Sequence, residues 1–263
     1  MRPQGFATAL YGWMERYKRD GVEWDWRRIY GDCAEAGVEA VETNPDDGRL
    51  AILRSLGLRV SASYVGLPLM LGYDALDVET AVMPAAERLA RAGGTDLILN
   101  SDAPDWSVPV NKTTDDTERQ GETLSRIAER VSSLGLAVSL HNHAANFADA
   151  QADLDSVVRY ADPAVGLCVD IGWAHTAGHD PVAWLRDHPE RIRGFHLRNQ
   201  RDGVPTEELA DGEIDIGALI EAAPGYTGWL TLELWHPGSM QPARSMIEDT
   251  RRSVDYLKEL LAR

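Results

Sequence analysis

Four short apolar runs in the second half of the chain each end in a side chain that can bind a metal ion. The runs end at His141, Asp170, His196 and Glu233, and each interval between them leaves room for one helix. Parallel strands joined by crossover helices have this spacing. The sequence therefore predicts two imidazoles and two carboxylates at the mouth of one parallel barrel.

The alternation of side chains along a strand supports a single orientation for these runs. Neighbouring residues of a strand point to opposite faces, so an inward His141 leaves Val138 and Leu140 facing outward. The residues that share the inward face with the four polar ends are Ser139, Cys168, Gly194 and Thr231. The outward positions are mostly Val, Leu and Phe, as expected where helices cover the barrel.

Strand-like and helix-like segments alternate eight times along the chain. The predicted strands are residues 5–11, 38–43, 58–64, 95–100, 136–143, 165–170, 192–198 and 228–235. Eight such units in 263 residues predict an α/β fold, a single (β/α)8 TIM barrel, with residues 1–263 as one domain. A doubly wound sheet is the rival architecture, but no glycine-rich phosphate-binding motif follows the first strand.

The longer predicted loops all follow strands, which places them on the face of the barrel that carries catalytic residues. They cover residues 66–76, 101–114, 171–180 and 199–214. A helix is expected to follow Pro242 near the end of the chain.

The charge of the chain limits its partners. With 26 basic and 42 acidic residues, the formal net charge is −16, which repels phosphate backbones and anionic lipids. We expect a small-molecule partner, neither nucleic acid nor membrane, and a cytoplasmic location, since no signal segment or membrane-spanning run is visible. The two cysteines, Cys33 and Cys168, do not suggest a disulfide framework. A homo-oligomer is compatible with the sequence.

Several motifs, taken in order, resemble the sugar phosphate isomerase/epimerase superfamily, the xylose-isomerase-like TIM barrels. They are His-Asn-His at 141–143, Asp-Ile-Gly-Trp at 170–173, Arg-Ile-Arg-Gly-Phe-His-Leu-Arg at 191–198, Gly-Glu-Ile-Asp at 212–215 and Leu-Glu-Leu at 232–234. The resemblance implies one divalent cation held at the ends of the fifth to eighth strands. By motif position, its ligands are His141, Asp170, His196 and Glu233.

The fifth strand departs from the usual pattern of that superfamily. Sugar epimerases of the family carry Glu where His141 stands, and they use two opposed glutamates to exchange the substrate's proton. This chain keeps only Glu233 of that pair. The His-x-His run is more similar to the branch that includes inosose dehydratases and related keto-sugar enzymes.

The ligand types favour chemistry next to a carbonyl group. Two neutral imidazoles and two carboxylates leave a divalent cation with no net site charge and, if it is octahedral, two open positions. A ketone and its neighbouring hydroxyl would bind there and form an enediolate. Glu233 and His143 are the predicted catalytic acid/base residues, although His143 is also a candidate ligand in place of His141. The imidazoles favour Mn²⁺, or Co, Fe, Ni or Zn, over Mg²⁺.

Other residues near strand ends are predicted to bind the substrate. Inward parity selects Glu42 and Asn100, which would bind sugar hydroxyls, and Arg198 is placed to hold an anionic oxygen. The flat rings of Trp13 and Trp173 are predicted to stack on the apolar face of a sugar or cyclitol, and His175 is the remaining candidate.

The leading functional hypothesis is a metal-dependent isomerase or epimerase acting on a keto sugar or related carbohydrate. The first alternative is a metal-dependent dehydratase acting on a keto-cyclitol or keto sugar. An endonuclease-type hydrolase, a two-carboxylate glycosidase and a non-catalytic sugar-binding subunit are further alternatives.

Overall fold

The predicted strands lie side by side in one parallel sheet. The computed structural model of the protein describes residues 1–103, 111–143, 147–238 and 241–263. In this part of the chain, nine strand segments form the sheet. They are Gly5–Ala9, Ala40–Glu42, Arg59–Val60, Ala62–Leu67, Asp96–Ser101, Ala137–His141, Val165–Asp170, Ile192–Leu197 and Trp229–Leu232.

Two of these segments, Arg59–Val60 and Ala62–Leu67, together form the third strand of the barrel. The first pairs with the second strand, and the other pairs with the fourth. The Ser61 amide donates to the Val41 carbonyl, and the Thr43 amide donates to the Ala62 carbonyl, both at 3.0 Å. These hydrogen bonds close the sheet, which confirms the predicted TIM barrel with eight strand positions.

Helices connect the strands and cover the outside of the barrel. The α-helices are Tyr11–Asp20, Trp26–Glu35, Asp47–Ser55, Val78–Ala81, Met83–Ala92, Thr114–Ser132, Phe147–Asp155, Ile171–Thr176, Pro181–Asp187, Ile216–Ala222 and Met246–Leu261. A π-helical turn follows at Ser156–Tyr160, and the 3₁₀ turns are Leu69–Leu71, Tyr73–Ala75 and Pro189–Arg191.

Short polar side chains set where many of these helices begin. Asp25, Asp46 and Asp215 each accept a hydrogen bond from a backbone amide in the first turn, which is the usual role of an N-cap residue. The last helix begins at Met246 and is capped by Ser245. It therefore starts four residues after the Pro242 named from the sequence.

The two faces of each strand pack in different surroundings, as the alternation predicted. Outward residues of the fifth to eighth strands join the main core with the helices, and these include Val138, Leu140, Leu167, Phe195 and Leu232. Two small clusters contain inward residues, Ala7 with Ala40 and Trp229, and Ala62 with Ile98 and Cys168. The interior is thus filled by side chains beneath the strand ends.

Three of the predicted loops contain regular structure. The third strand runs on to Leu67, so residues 66–76 begin with strand and continue as 3₁₀ turns. The predicted loop 171–180 contains the helix Ile171–Thr176, and the Asp170 side chain caps its first turn. The loop 199–214 contains a hairpin of Gln200–Arg201 and Val204–Pro205. Part of the loop 101–114, residues 104–110, lies outside the described residues.

No helix in the described ranges is long and apolar enough to cross a bilayer.

Candidate active site

Four donor atoms meet above the carboxyl ends of the fifth to eighth strands. One atom each from His141, Asp170, His196 and Glu233 lies within 4.8 Å of the other three. His141 Nε2 is 3.5 Å from Asp170 Oδ2, and His196 Nδ1 is 3.0 Å from Glu233 Oε2. The four side chains that the sequence predicted as ligands are therefore brought together by the barrel.

These four atoms are better suited to bind a cation than to form hydrogen bonds with one another. All four are buried, and none makes a hydrogen bond with the described residues. Buried polar atoms are nearly always satisfied, and leaving one unsatisfied costs about 1–3 kcal/mol. Two imidazole nitrogens and two carboxylate oxygens are suitable ligands for a divalent transition metal. The donor set therefore fits the divalent cation that the sequence implied.

Asn100 and Asp102 determine which nitrogen of His141 faces the site. The Asn100 amide nitrogen donates to Asp102 Oδ1 at 2.6 Å, since a carboxylate can only accept. Asn100 Oδ1 therefore faces His141 Nδ1, 3.2 Å away, and accepts a hydrogen bond from its N–H. This leaves the Nε2 lone pair of His141 directed at the other donors.

Glu42 orients His196 in a similar way. Glu42 Oε2 lies 2.8 Å from His196 Nε2 and accepts a hydrogen bond from it. His196 Nδ1 then presents its lone pair to the site. Carboxylates commonly support metal-binding histidines from behind. Glu42 was predicted to bind sugar hydroxyls, and this contact gives it a positioning role as well.

The two carboxylate oxygens of Asp170 have different roles. Oδ1 accepts from the Trp173 backbone amide at 2.7 Å and from Arg198 Nε at 3.1 Å. Oδ2 is the atom that makes no hydrogen bond and belongs to the donor cluster. The residue that caps the helix after the sixth strand thus also offers a ligand atom.

The pKa values follow from burial and from the charges inside the barrel. Burial would raise the pKa of Asp170, but Arg198 and His141 outweigh it and hold the pKa well below its usual range. Burial also opposes ionisation of Glu233, yet His196 lowers its pKa. Burial would lower the pKa of His196, but Cys168, Glu42 and Glu233 raise it well above its ordinary value. The donor atoms therefore favour a positive charge at their centre, which either a proton on His196 Nδ1 or a bound divalent cation would supply.

His143 lies beside the donor cluster rather than in it. Its ring centroid is 6.1 Å from that of His141 and 4.2 Å from that of Trp173. Burial lowers the pKa of His143 to about 4, and the neighbouring His141 adds to the shift. Its imidazole is therefore neutral at neutral pH.

A cavity of about 610 Å³ opens beside the donor cluster and His143. Cavities of this size hold small molecules in many enzymes. The lining residues are Ala9, Leu10, Tyr11, Met14, Trp26, Glu42, Thr43, Asn44, Arg49, Tyr64, Asn100, Asp102, His141, His143, Trp173, Glu233 and His236. The predicted residues Glu42, Asn100 and Trp173 are among them.

Trp13 is placed where it cannot contact a substrate. Its side chain is fully buried, its Nε1 donates to Thr8 Oγ1 at 3.0 Å, and its ring packs edge-on against Tyr17. The structure therefore contradicts the prediction that Trp13 stacks on a sugar. The helix Tyr11–Asp20 begins immediately after the first strand and turns this ring into the core.

His175 and Arg198 also lie outside the lining of the main cavity. His175 Nε2 is 3.3 Å from Glu213 Oε2 and borders a separate surface pocket. Arg198 is buried, with its guanidinium 4.7 Å from the Trp173 ring centre and its Nε bonded to Asp170. Arg198 therefore supports a predicted ligand, and neither residue lines this cavity.

Several residues that line the cavity were not predicted from the sequence. The Tyr64 hydroxyl is 3.4 Å from His141 Nδ1, and its ring stacks on His196 with centroids 6.3 Å apart. Asp102 approaches so closely that a Cβ at Gly66 would lie 2.3 Å from its Oδ2. Inward parity could have found both, since each lies two residues beyond an inward position. His236 and Arg49 lie beyond the ends of strands, where inward parity does not apply, so no sequence pattern identified them.

Comparison with known proteins agrees with this fold. Residues 31–260 match the xylose isomerase-like TIM barrel family. The chain belongs to this family. This xylose isomerase-like barrel is 30% identical over 140 residues to the rhizopine catabolism protein MocC of Rhizobium meliloti, which covers 44% of this chain and 42% of MocC.

A second relative of this xylose isomerase-like barrel is an inosose dehydratase of Lacticaseibacillus casei. It is 28% identical over 142 residues, 46% of this chain and 48% of the dehydratase. The chain thus aligns with about half the length of these curated relatives. Among solved structures, a sugar phosphate isomerase/epimerase from Parabacteroides distasonis superposes with a TM-score of 0.74 at 18% identity, over 96% of this chain and 93% of that one. At this identity the likeness shows the fold.

Proposed function

We propose that this protein is an enzyme that converts a keto sugar or keto-cyclitol through an enediolate at a divalent metal ion. One observation carries the proposal. Four buried donor atoms that make no hydrogen bonds with the described residues converge beside a cavity large enough for a six-carbon substrate, and two of their residues, His141 and Glu233, line it. A non-catalytic sugar-binding subunit would not need such a cluster.

The metal would be held by His141, Asp170, His196 and Glu233. When bound, a divalent cation polarises a carbonyl group and stabilises the negative charge of an enediolate. Two imidazole ligands favour Mn²⁺, Co, Fe, Ni or Zn over Mg²⁺, and we propose Mn²⁺. Elemental analysis of protein purified without chelator would identify the resident ion.

Glu233 is the proposed base. Its pKa is lowered, so the carboxylate is ionised at neutral pH, and it lines the cavity. In this position it would accept the proton from the carbon next to the carbonyl. His143, neutral and also in the cavity wall, would exchange a proton with a nearby hydroxyl.

The arrangement favours loss of water over epimerisation as the net reaction. Epimerisation needs proton exchange on both faces of one carbon, and here an imidazole replaces the second glutamate at the fifth strand. In a dehydration, one carboxylate can take the carbon-bound proton and return it to the departing hydroxyl. Asp170 does not line the cavity, so Glu233 is the metal-facing carboxylate available among the described residues.

The inosose dehydratases among the relatives point the same way, although the sequence match covers about half their length. Isomerisation on one face is the second candidate, because it also needs only one base. Endonuclease-type hydrolysis has weaker support. The described residues form a single group of four possible ligands, and the net charge is −16, whereas binding to DNA requires a basic face.

Incubation with keto sugars and inososes in D₂O would test the proposal. We expect metal-dependent incorporation of deuterium next to the carbonyl, together with release of water to give an unsaturated ketone. Exchange with an isomerised product and no loss of water would favour the second candidate. Absence of exchange with every compound, using metal-loaded protein, would contradict enediolate chemistry.

The Glu233→Gln variant tests the proposed base, and Glu221→Gln is its matched control. Replacing Glu233 removes the base and weakens one ligand, so we expect turnover to fall by at least about 100-fold while the fold is kept. Glu221→Gln, on the short helix Ile216–Ala222, changes an exposed glutamate outside the cavity and is expected to leave turnover unchanged.

A further inference from the structure

A single arginine faces the cavity from the wall nearest the second strand. Among the described lining residues, Arg49 is the only one with a permanent positive charge, whereas Glu42, Asp102 and Glu233 are acidic. Arg49 lies in the first turn of the helix Asp47–Ser55. A guanidinium on the wall of an otherwise acidic cavity is suited to bind an anionic group of a ligand.

The Arg49 guanidinium is fixed in place by aromatic stacking. Its Cζ lies 3.8 Å from the centre of the Trp26 ring. Trp26 in turn stacks on Tyr30, with centroids 5.7 Å apart and planes inclined by 29°. Tyr30 is fully buried, and its hydroxyl is 3.1 Å from Thr43 Oγ1. A stack anchored in the core therefore holds the charged group, which lowers the entropy lost on binding.

The groups close to Arg49 neutralise little of its positive charge, so the guanidinium can still attract an anion. Nη1 donates to the Asn44 carbonyl at 3.2 Å. Nε lies 3.3 Å from Asp46 Oδ2 without making a hydrogen bond, and the Asp46 side chain is 62% exposed. A pair this open to solvent contributes little. No hydrogen bond or ion pair joins Nη2 to any of the described residues.

We propose that Arg49 forms an anion subsite, so that the substrate carries an acidic group, a carboxylate or a phosphate, at the end remote from the reacting carbonyl. The inference rests on the proposed function for the identity of the reacting end. Arg198, the arginine predicted from the sequence to hold an anion, is bonded to Asp170 instead. Arg49 binds carboxylate or phosphate oxygens through its Nη atoms while Trp26 supports its face.

Direct binding to the metal-loaded protein tests this without turnover. Isothermal titration calorimetry would compare D-gluconate with neutral D-glucitol, and D-fructose 6-phosphate with neutral D-fructose. We expect the acidic member of at least one pair to bind about 10- to 100-fold more tightly than its neutral partner. Preference in the first pair identifies a carboxylate, and preference in the second identifies a phosphate.

The variants assign that preference to one side chain. Arg49→Gln is expected to abolish it, and Arg49→Lys, which keeps the charge but loses the planar stack, is expected to retain part of it. Arg54→Gln, an exposed arginine on the same helix, should retain all of it. Urea unfolding of each variant checks that the fold is kept.

The outcomes separate this inference from the proposed function. Equal binding of acidic and neutral compounds, or a preference unchanged in Arg49→Gln because the anion binds the metal, overturns the subsite. Deuterium exchange on neutral keto sugars in that case would leave the proposed function standing. An Arg49-dependent preference without exchange on any compound would support the subsite and contradict the enediolate proposal.

Discussion

Three of the four side chains directed at the candidate metal site are held by a partner at another of their polar atoms. Asn100 accepts from His141, Glu42 accepts from His196, and Arg198 donates to Asp170. These contacts fix tautomers and ring orientations before any ion binds, which reduces the reorganisation needed for binding. At the scale of single residues, the candidate site is therefore a set of oriented lone pairs.

Removing one such partner should weaken metal binding without removing a ligand. Asn100→Leu deletes the acceptor for His141 Nδ1, and we expect the metal dissociation constant to rise about 10- to 100-fold. Chelator competition would measure it. Asn44→Leu changes another asparagine of the cavity, one that bonds the Tyr64 carbonyl and no ligand. A similar loss of affinity in both variants would show that Asn100 does not act through His141.

His143 should affect turnover and not metal content. It lies outside the group of four donors, and its lowered pKa keeps it neutral. We expect His143→Asn to retain the metal and to lose turnover by about 10²- to 10⁴-fold, the usual contribution of acid–base catalysis. Metal content per protein and kcat would be measured together. Loss of the metal would instead identify His143 as a ligand.

Among the elements, a buried ion pair anchors the helix that follows the fifth strand. Asp153, on the helix Phe147–Asp155, lies 2.6 Å from Lys112 Nζ, and both side chains are at most 5% exposed. Asp153 also accepts from Gln120 and from the His143 backbone amide. The segment preceding the helix Thr114–Ser132 and the end of the fifth strand are thus tied to one carboxylate.

Breaking this pair should destabilise the fold strongly. Asp153→Asn leaves the Lys112 charge buried without its carboxylate, and we expect the free energy of unfolding to fall by about 3–5 kcal/mol. Lys112→Met combined with Asp153→Asn should recover part of that loss. The exposed pair of Arg130 with Glu79 serves as control, since Arg130→Met is expected to cost less than about 1 kcal/mol. Urea unfolding would test the comparison, and equal costs would refute it.

For the molecule as a whole, the lower end of the barrel contains a carboxyl group that opposes stability at high pH. Asp96 begins the fourth strand and accepts from Ser139 Oγ at 2.9 Å and 3.0 Å. Burial raises the pKa of Asp96 to about 7, from an ordinary value of 3.8. The folded protein therefore keeps a proton that the unfolded chain releases, and stability declines as the pH rises from about 4 to 7.

Asp96→Asn should remove this component of the pH dependence. We expect the variant to match the parent near pH 4 and to exceed it at pH 8, by at most about 4 kcal/mol. Urea unfolding at both pH values would measure the difference. Asp255→Asn, an exposed aspartate on the final helix, is the control and should shift both values equally. A variant less stable than its parent at pH 8 would contradict the assignment.

The barrel and its four donor side chains could be predicted from the amino-acid sequence. Strand alternation is a local property of the backbone, so it placed His141, Asp170, His196 and Glu233 inward without knowledge of distant contacts. Parallel strands then bring their carboxyl ends to one face. These two rules were enough to predict which side chains would meet.

The role of each side chain, in contrast, depends on tertiary contacts. The tertiary structure turned Trp13 into the core, placed Arg198 beneath Asp170, and brought Arg49 to the cavity wall. It also selected the nitrogen that each histidine presents. These outcomes depend on contacts between residues far apart in the chain, such as Glu42 with His196. Such contacts are set by the packing of helices and loops, which no local periodicity encodes.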